Sequence, residues 1–308
     1  MDPTGELRFI EEMIGKKLNG DLLVGVGDDC AVIAWGANRF MLVSTDILIE
    51  NVHFLREYGG FRAAGEKAVA VNVSDIAAMG GRPLFLFVSG SVPDEDSLRE
   101  LAHGLRSGAE RYGCIIAGGD TSRSDTGVVN ITVIGETRGY FPVLRSGAEV
   151  GDLIGVTGEL GKSHAGLRAI QSGVTDEGII RSYTLPVARV DMGVKLAEVG
   201  VKSMIDISDG LGSEIRHICY AGGVGAAMYR DRIPISQEAK RVADMLNEDP
   251  LLYALSGGED YELLFTFPPD IEDKITSIGD ITVIGEIVDK DKGITMDGES
   301  VPQGFTHM

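Results

Sequence analysis

The sequence predicts an α/β fold of the α+β type in two mixed units, and three observations carry that reading. Apolar runs rich in branched residues, at 40–43, 84–88 and 128–134, alternate with helical patterns at 61–79 and 97–112. The polar, turn-rich segment 145–152 then breaks the pattern before a fresh strand at 153–157. At 308 residues the chain also exceeds what one hydrophobic core ordinarily serves. The expected units are therefore 1–148 and 149–308.

The second half repeats the mixture. Helices are expected at 163–171, 191–199 and 211–221, and strands at 203–207 and around Leu263 and Ile281. The hexapeptide Ile-Thr-Val-Ile-Gly-Glu occurs at 131–136 and again at 281–286. Nothing around the copies matches, so they read as two similar buried strands, each ending in a glycine turn.

Composition narrows the function. Hydrophobic residues make up 44% and charged residues 24%, the balance of a globular chain, and no apolar stretch reaches bilayer length. The opening Met-Asp-Pro-Thr-Gly-Glu has neither the basic start nor the apolar run of a secretory signal, so a cytoplasmic location is expected. Cys30, Cys114 and Cys219 are far apart and lie beside apolar residues, which suits reduced, buried thiols rather than a disulfide framework. A formal net charge of -19 repels nucleic-acid phosphates and anionic membranes, so neither is an expected partner. An anionic substrate would have to arrive with cations.

Aspartates recur in short segments flanked by Gly or Ser: Gly27-Asp28-Asp29, Ser44-Thr45-Asp46, Asn72-Val73-Ser74-Asp75, Gly118-Gly119-Asp120-Thr121 and Asp206-Ile207-Ser208-Asp209-Gly210. Each alone is an ordinary acidic turn. Together they offer carboxylates from rigid element ends beside hydroxyl oxygens, a donor set suited to hard divalent cations. In the helix over 61–79, Asn72, Asp75 and Met79 are expected on one face with Gly65 and Ala68, so that Asp75 projects over a low surface. Converging carboxylates repel in a partly dehydrated cleft, and magnesium shared with phosphate oxygens would relieve them.

Two glycine-rich segments mislead. Gly155 and Gly161 before Lys162-Ser163 are one residue too far apart for a Walker A loop, so Lys162 and Ser163 should start a helix, whose amides could still meet an anion. Gly222-Gly223-Val224-Gly225 follows a helix and precedes a strand, which suits a helix stop rather than a dinucleotide fingerprint.

Taken in order, residues 27–32 (Gly-Asp-Asp-Cys-Ala-Val), 44–47, 71–80 (Val-Asn-Val-Ser-Asp-Ile-Ala-Ala-Met-Gly), 118–121, 144–147, 205–211 (Ile-Asp-Ile-Ser-Asp-Gly-Leu) and 257–263 (Gly-Gly-Glu-Asp-Tyr-Glu-Leu) resemble the thiamine-monophosphate kinase family across nearly the whole chain. That resemblance implies the ATP-binding superfamily of aminoimidazole ribonucleotide synthetase, with two α+β domains and N-terminal sheets pairing into a homodimer. It implies phosphorylation of thiamine monophosphate to thiamine diphosphate by ATP, assisted by several Mg2+ ions. By the same resemblance Asp29, Ser44, Thr45, Asp46, Asp75, Asp120, Asp206 and Asp209 hold the metal, with Asp46, Asp75, Asp120 and Asp209 central to catalysis. Gly119, Asp120, Arg145 and Ser208 would touch the nucleotide, and His53, Glu259 and Phe305 the thiamine end. The chain departs from the family at Asn51, often glycine, and around Phe305, where the ending matches loosely.

The chemistry agrees with the residues present. A substrate phosphate oxygen is already ionised near neutral pH, so the nucleophile needs no general base and no catalytic triad is required. Three alternatives stand beside this reading: a superfamily member that activates another acceptor, a non-catalytic ATP-binding subunit, and an acidic scaffold protein, which would explain the charge but not the placement of the aspartates.

Overall fold

A computed structural model describes residues 20–301. The first sheet is built from β1 (Leu22–Val24), β2 (Ala31–Ala34), β3 (Arg39–Ile49), β4 (Arg82–Val92), β5 (Ile115–Arg123) and β6 (Val128–Arg138), in the order β1-β2-β3-β6-β4-β5. All its pairings are antiparallel except β4 with β5, which are joined by a helical crossover. That crossover is α2 (Glu95–Tyr112); it opens on Asp94, whose carboxylate accepts from the Ser97 amide, and closes on left-handed Gly113.

Helix α1 (Gly60–Ala78) links β3 to β4 and is enclosed on nearly every side. Its small residues let neighbours approach closely: a Cβ at Gly104 of α2 would lie 2.0 Å from the Arg62 carbonyl oxygen. The expected face is corrected here. A Cβ on Gly65 would meet the Leu101 carbonyl oxygen at 2.7 Å, so Gly65 packs against α2 rather than leaving a low open surface, while Asp75 is half-buried beside Ser44 of β3.

The second sheet comprises β7 (Leu153–Thr157), β8 (Ser203–Asp206), β9 (Gly225–Met228), β10 (Leu263–Phe267), β11 (Ile281–Val288), β12 (Ile294–Met296) and β13 (Glu299–Ser300), in the order β13-β12-β9-β11-β7-β10-β8. Its helices are α3 (Lys162–Gln171), α4 (Glu177–Thr184), α5 (Val190–Val199), α6 (Leu211–Gly222), α7 (Gln237–Leu246), α8 (Pro250–Ser256) and α9 (Glu272–Thr276). The two halves interlock through α1. A Cβ on Gly193 of α5 would sit 2.1 Å from the Ala77 carbonyl oxygen, and Ala78 packs with Leu196, Met204 and Phe265.

The repeated hexapeptide lies inside β6 and opens β11, and its glycines do not end those strands as expected. Each instead lies where pairing shifts register, with no room for a side chain: a Cβ on Gly135 would meet the Arg82 carbonyl oxygen at 2.8 Å, and one on Gly285 that of Ala227 at 2.4 Å. All three cysteines are free and buried. No helix among the described residues is long and apolar enough to cross a membrane.

Candidate active site

Only some of the acidic segments are turns. Ser44-Thr45-Asp46 lies inside β3, Asn72 to Asp75 inside α1, and Gly118 to Thr121 inside β5, while Asp206 is the last residue of β8. Regular elements therefore fix most of these carboxylates, which corrects the turn reading and leaves them more rigid than turns would.

Asp29, Asp75 and Asp206 converge, each offering a carboxylate oxygen within 4.8 Å of the others. They come from the β1–β2 connection, the last turns of α1 and the end of β8. The Ser44 hydroxyl donates to Asp75 at 2.5 Å, and the Asp46 amide donates to Asn72 Oδ1 at 3.1 Å, which ties β3 to α1 beside the cluster. Burial, then the charges of Asp46, Asp206 and Asp29, push the Asp75 pKa well above the carboxylate range. Asp206 is pushed up to about 7 by burial and Asp29, and Asp28 to about 7 by burial and Asp29. An all-oxygen set of crowded acids fits a hard divalent cation, whose charge would offset the repulsion that raises these values.

One cation is built in. Arg145, in a 3-10 turn at Arg145–Gly147, grips Asp29 with Nη2 at 2.7 Å and Nε at 3.4 Å, and its amide donates to Asp28. Burial opposes the guanidinium charge, but Asp29 and Asp28 outweigh it and raise its pKa. Ser208 and Asp209 lead into α6, where the Asp209 amide donates to Glu214 Oε1 at 2.8 Å.

Strand alternation separates two residues from this cluster. Ser44 and Asp46 face α1, whereas Thr45 faces the other side of the sheet, where Thr132 Oγ1 lies 3.2 Å away. Asp120 pairs in register with Ser89, and Thr45, Thr132, Phe87, Ser89 and Asp120 share that outer face. Gly119 is beside them on the edge strand. Phe305 lies outside the described residues.

His53 and Glu259 stand together at the other end. Lys67 Nζ lies 2.8 Å from Glu259 Oε1 and donates to the His53 carbonyl oxygen at 2.8 Å. Buried Tyr261 joins this end to the carboxylates; burial raises its pKa first, then the charges of Glu259, Asp46, Asp206 and Asp75. A cavity of about 260 Å3 opens beside Glu259, lined by Lys162, Ser163, Arg181 and Arg189 among others. The α3 amides expected to meet an anion are taken by Asp260, which accepts from Gly161 at 2.6 Å and Ser163 at 3.2 Å.

Sequence reading missed Ser74, Glu214, Lys67 and Tyr261. Ser74 was within reach, since it stands beside Asp75 in an acidic segment already singled out. Tyr261 likewise stands in the 257–263 segment already singled out, whereas Lys67 and Glu214 carry no pattern that sets them apart from surface charge.

Residues 27–137 match AIR synthase related protein, N-terminal domain, and residues 149–298 match AIR synthase related protein, C-terminal domain, which sets the class of the fold and site. The thiamine-monophosphate kinase of Aquifex aeolicus is 34% identical over 98% of this chain and 98% of its own. That of Mycobacterium tuberculosis is 35% identical over 97% of this chain and 90% of its own. The solved structure of AaThiL complexed with AMPPCP and TMP superposes with a TM-score of 0.89 at 32% identity, covering 99% of this chain and 96% of that one. The chain belongs to the thiamine-monophosphate kinase family.

Proposed function

We propose that this chain transfers the γ-phosphoryl group of ATP to the phosphate of thiamine monophosphate, giving thiamine diphosphate and ADP. The observation that carries the reading is the convergence of Asp29, Asp75 and Asp206 from three distant segments, in a chain akin to thiamine-monophosphate kinases along its length. An acceptor phosphate oxygen forms the new P–O bond while the bond to the β-phosphate oxygen of ATP breaks. No proton has to be removed from the nucleophile, and no side chain is needed as base.

The chain's own work is to bring two polyanions together and hold them in line. Asp29, Ser44, Asp46, Asp75, Asp206 and Asp209 are the oxygens that would hold Mg2+. When bound there, magnesium supplies charge neutralisation and orientation of phosphate oxygens. Arg145 keeps a fixed fork beside the cluster, with further N–H groups for a nucleotide phosphate. Ser208 adds a hydroxyl at the entrance to α6, while His53 and Glu259 meet the thiamine end. In this reading 1–148 supplies most metal and nucleotide contacts, 149–308 completes the site, and the enzyme works in the cytoplasm.

Homodimer formation belongs to the same proposal. The outer face of the first sheet exposes Ile47, Phe85, Phe87 and Ile115, and β5 is an unpaired edge exposed at every residue. A bare apolar face bounded by an open edge calls for a covering partner. A second copy of this face offers the matching apolar surface, and Thr45, Gly119 and Asp120 act only in that assembly.

The test is ADP release by purified protein given ATP and thiamine monophosphate, with magnesium and with chelator. Turnover that needs both the acceptor and free magnesium is expected. ATP binding with no ADP release in the presence of thiamine monophosphate would favour the non-catalytic ATP-binding subunit instead.

A further inference from the structure

Lys67 is 1% exposed, on the face of α1 two turns before Asp75, and nothing in the phosphoryl chemistry above uses it. Its ammonium makes three contacts at once. It pairs with Glu259 Oε1 at 2.8 Å, donates to the His53 carbonyl oxygen at 2.8 Å, and lies 3.9 Å from the centroid of the Tyr183 ring. The Tyr183 hydroxyl donates to the same His53 oxygen at 3.3 Å. His53 belongs to the loop after β3 and Glu259 to the loop before β10, so one buried point holds two loops from opposite halves of the chain.

A buried ammonium is a poor way to gain stability, because desolvation offsets much of what its partners return. The geometry it fixes is a better account. Glu259 is held in the left-handed region at φ 59°, a conformation uncommon for a residue with a side chain, and its amide donates to the Ser208 carbonyl oxygen at 2.7 Å. The carboxylate is thereby pinned at both ends: backbone to Ser208 beside the acidic cluster, side chain to Lys67.

We propose that Lys67 is a positioning residue for the acceptor substrate, setting Glu259 and His53 relative to one another so that the organic end of the acceptor is read by a preformed pair. The inference rests on the reading that those two residues meet the thiamine end. The contacts of Lys67 run to Glu259, His53 and Tyr183 and not to Arg145 or the clustered carboxylates, so losing the anchor should impair the acceptor more than the nucleotide.

The experiment compares Lys67→Met, Glu259→Gln and His53→Ala in the full-length protein, measuring KM for thiamine monophosphate, KM for ATP, and thermal stability. Lys67→Met should raise KM for thiamine monophosphate about tenfold, the factor of one lost charge-assisted hydrogen bond, with KM for ATP changed by less than about twofold. Glu259→Gln should act in the same direction, and adding it to Lys67→Met should cost little more, since the anchor is already gone. Equal rises in both KM values, or a loss of stability with neither KM altered, would overturn the inference. If His53→Ala and Glu259→Gln raise KM for thiamine monophosphate while Lys67→Met does not, the positioning role fails and the underlying reading survives. Unchanged KM in all three removes both. Should Lys67→Met not fold, Tyr183→Leu takes away the ring and hydroxyl that share its task, and the same selective rise is expected; no rise overturns the proposal.

Discussion

Ser74 Oγ donates to Asp206 Oδ2 at 2.5 Å, so a hydroxyl from α1 in the first half holds a cluster carboxylate from β8 in the second. Both residues are buried. Replacing Ser74 by Ala leaves that oxygen without its donor, and a loss of about 1–3 kcal/mol is expected for a buried acceptor so abandoned. Denaturant unfolding in chelator measures it; an unchanged midpoint would mean the contact does not hold the halves together.

Asp75→Asn should separate function from stability. The amide keeps an oxygen for the Ser44 hydroxyl while removing one of several charges that repel in the cluster. Turnover should fall on the order of 100-fold or more, the scale seen when a group aimed at transition-state charge is deleted. Thermal stability without metal should hold or rise. Near-normal turnover at saturating magnesium would remove Asp75 from the site.

The metal-free protein should lose stability as pH rises. Burial pushes Asp28, Asp206 and Asp260 each up to about 7. Between the ordinary carboxylate value near 4 and about 7 the folded chain binds more protons than the unfolded one, so stability falls through that window and is lowest above it. Magnesium favours the ionised form of Asp206 and should narrow the gap. Thermal midpoints near pH 5 and about pH 8, with chelator and with magnesium, check this; a gap of the same size in both would argue against metal at the cluster.

The exposed sheet face makes its own prediction. Phe87 is 43% exposed there, so Phe87→Glu should be tolerated by the fold but should place a charge in any paired face. Light scattering is expected to find a dimer for the native chain and a monomer for the variant. A native monomer would leave the apolar face unexplained.

How much of this was legible in the sequence depends on what kind of signal each residue leaves. The strand and helix frame could be read because apolar runs and periodicity write it directly: the helix expected at 61–79 is Gly60–Ala78, and that at 211–221 is Leu211–Gly222. Short or exposed elements left no such trace. Strand β5 is exposed along its length, and α4, α7 and α8 were not anticipated. For the cluster, residue type and order sufficed to gather Asp29, Asp75 and Asp206. Facing could not be read the same way, since Thr45 and Asp46 are neighbours in sequence yet lie on opposite sides of one sheet. Nor could the burial of Lys67 and Glu214, because a charged residue on a helix ordinarily faces water and only the packed neighbours show otherwise.

Because α1 is enclosed on nearly every side, it has almost no water-facing positions on which sequence can drift freely. The rod that presents Asp75 and Asn72 to one end of the cleft, and Lys67 to the other, is also the piece around which both halves are assembled. A side chain enlarged anywhere along it would be felt simultaneously by the sheet, by α2 and by α5, so the spacing between the phosphate end and the ring end of the cleft is set by a ruler the molecule cannot lengthen without coming apart.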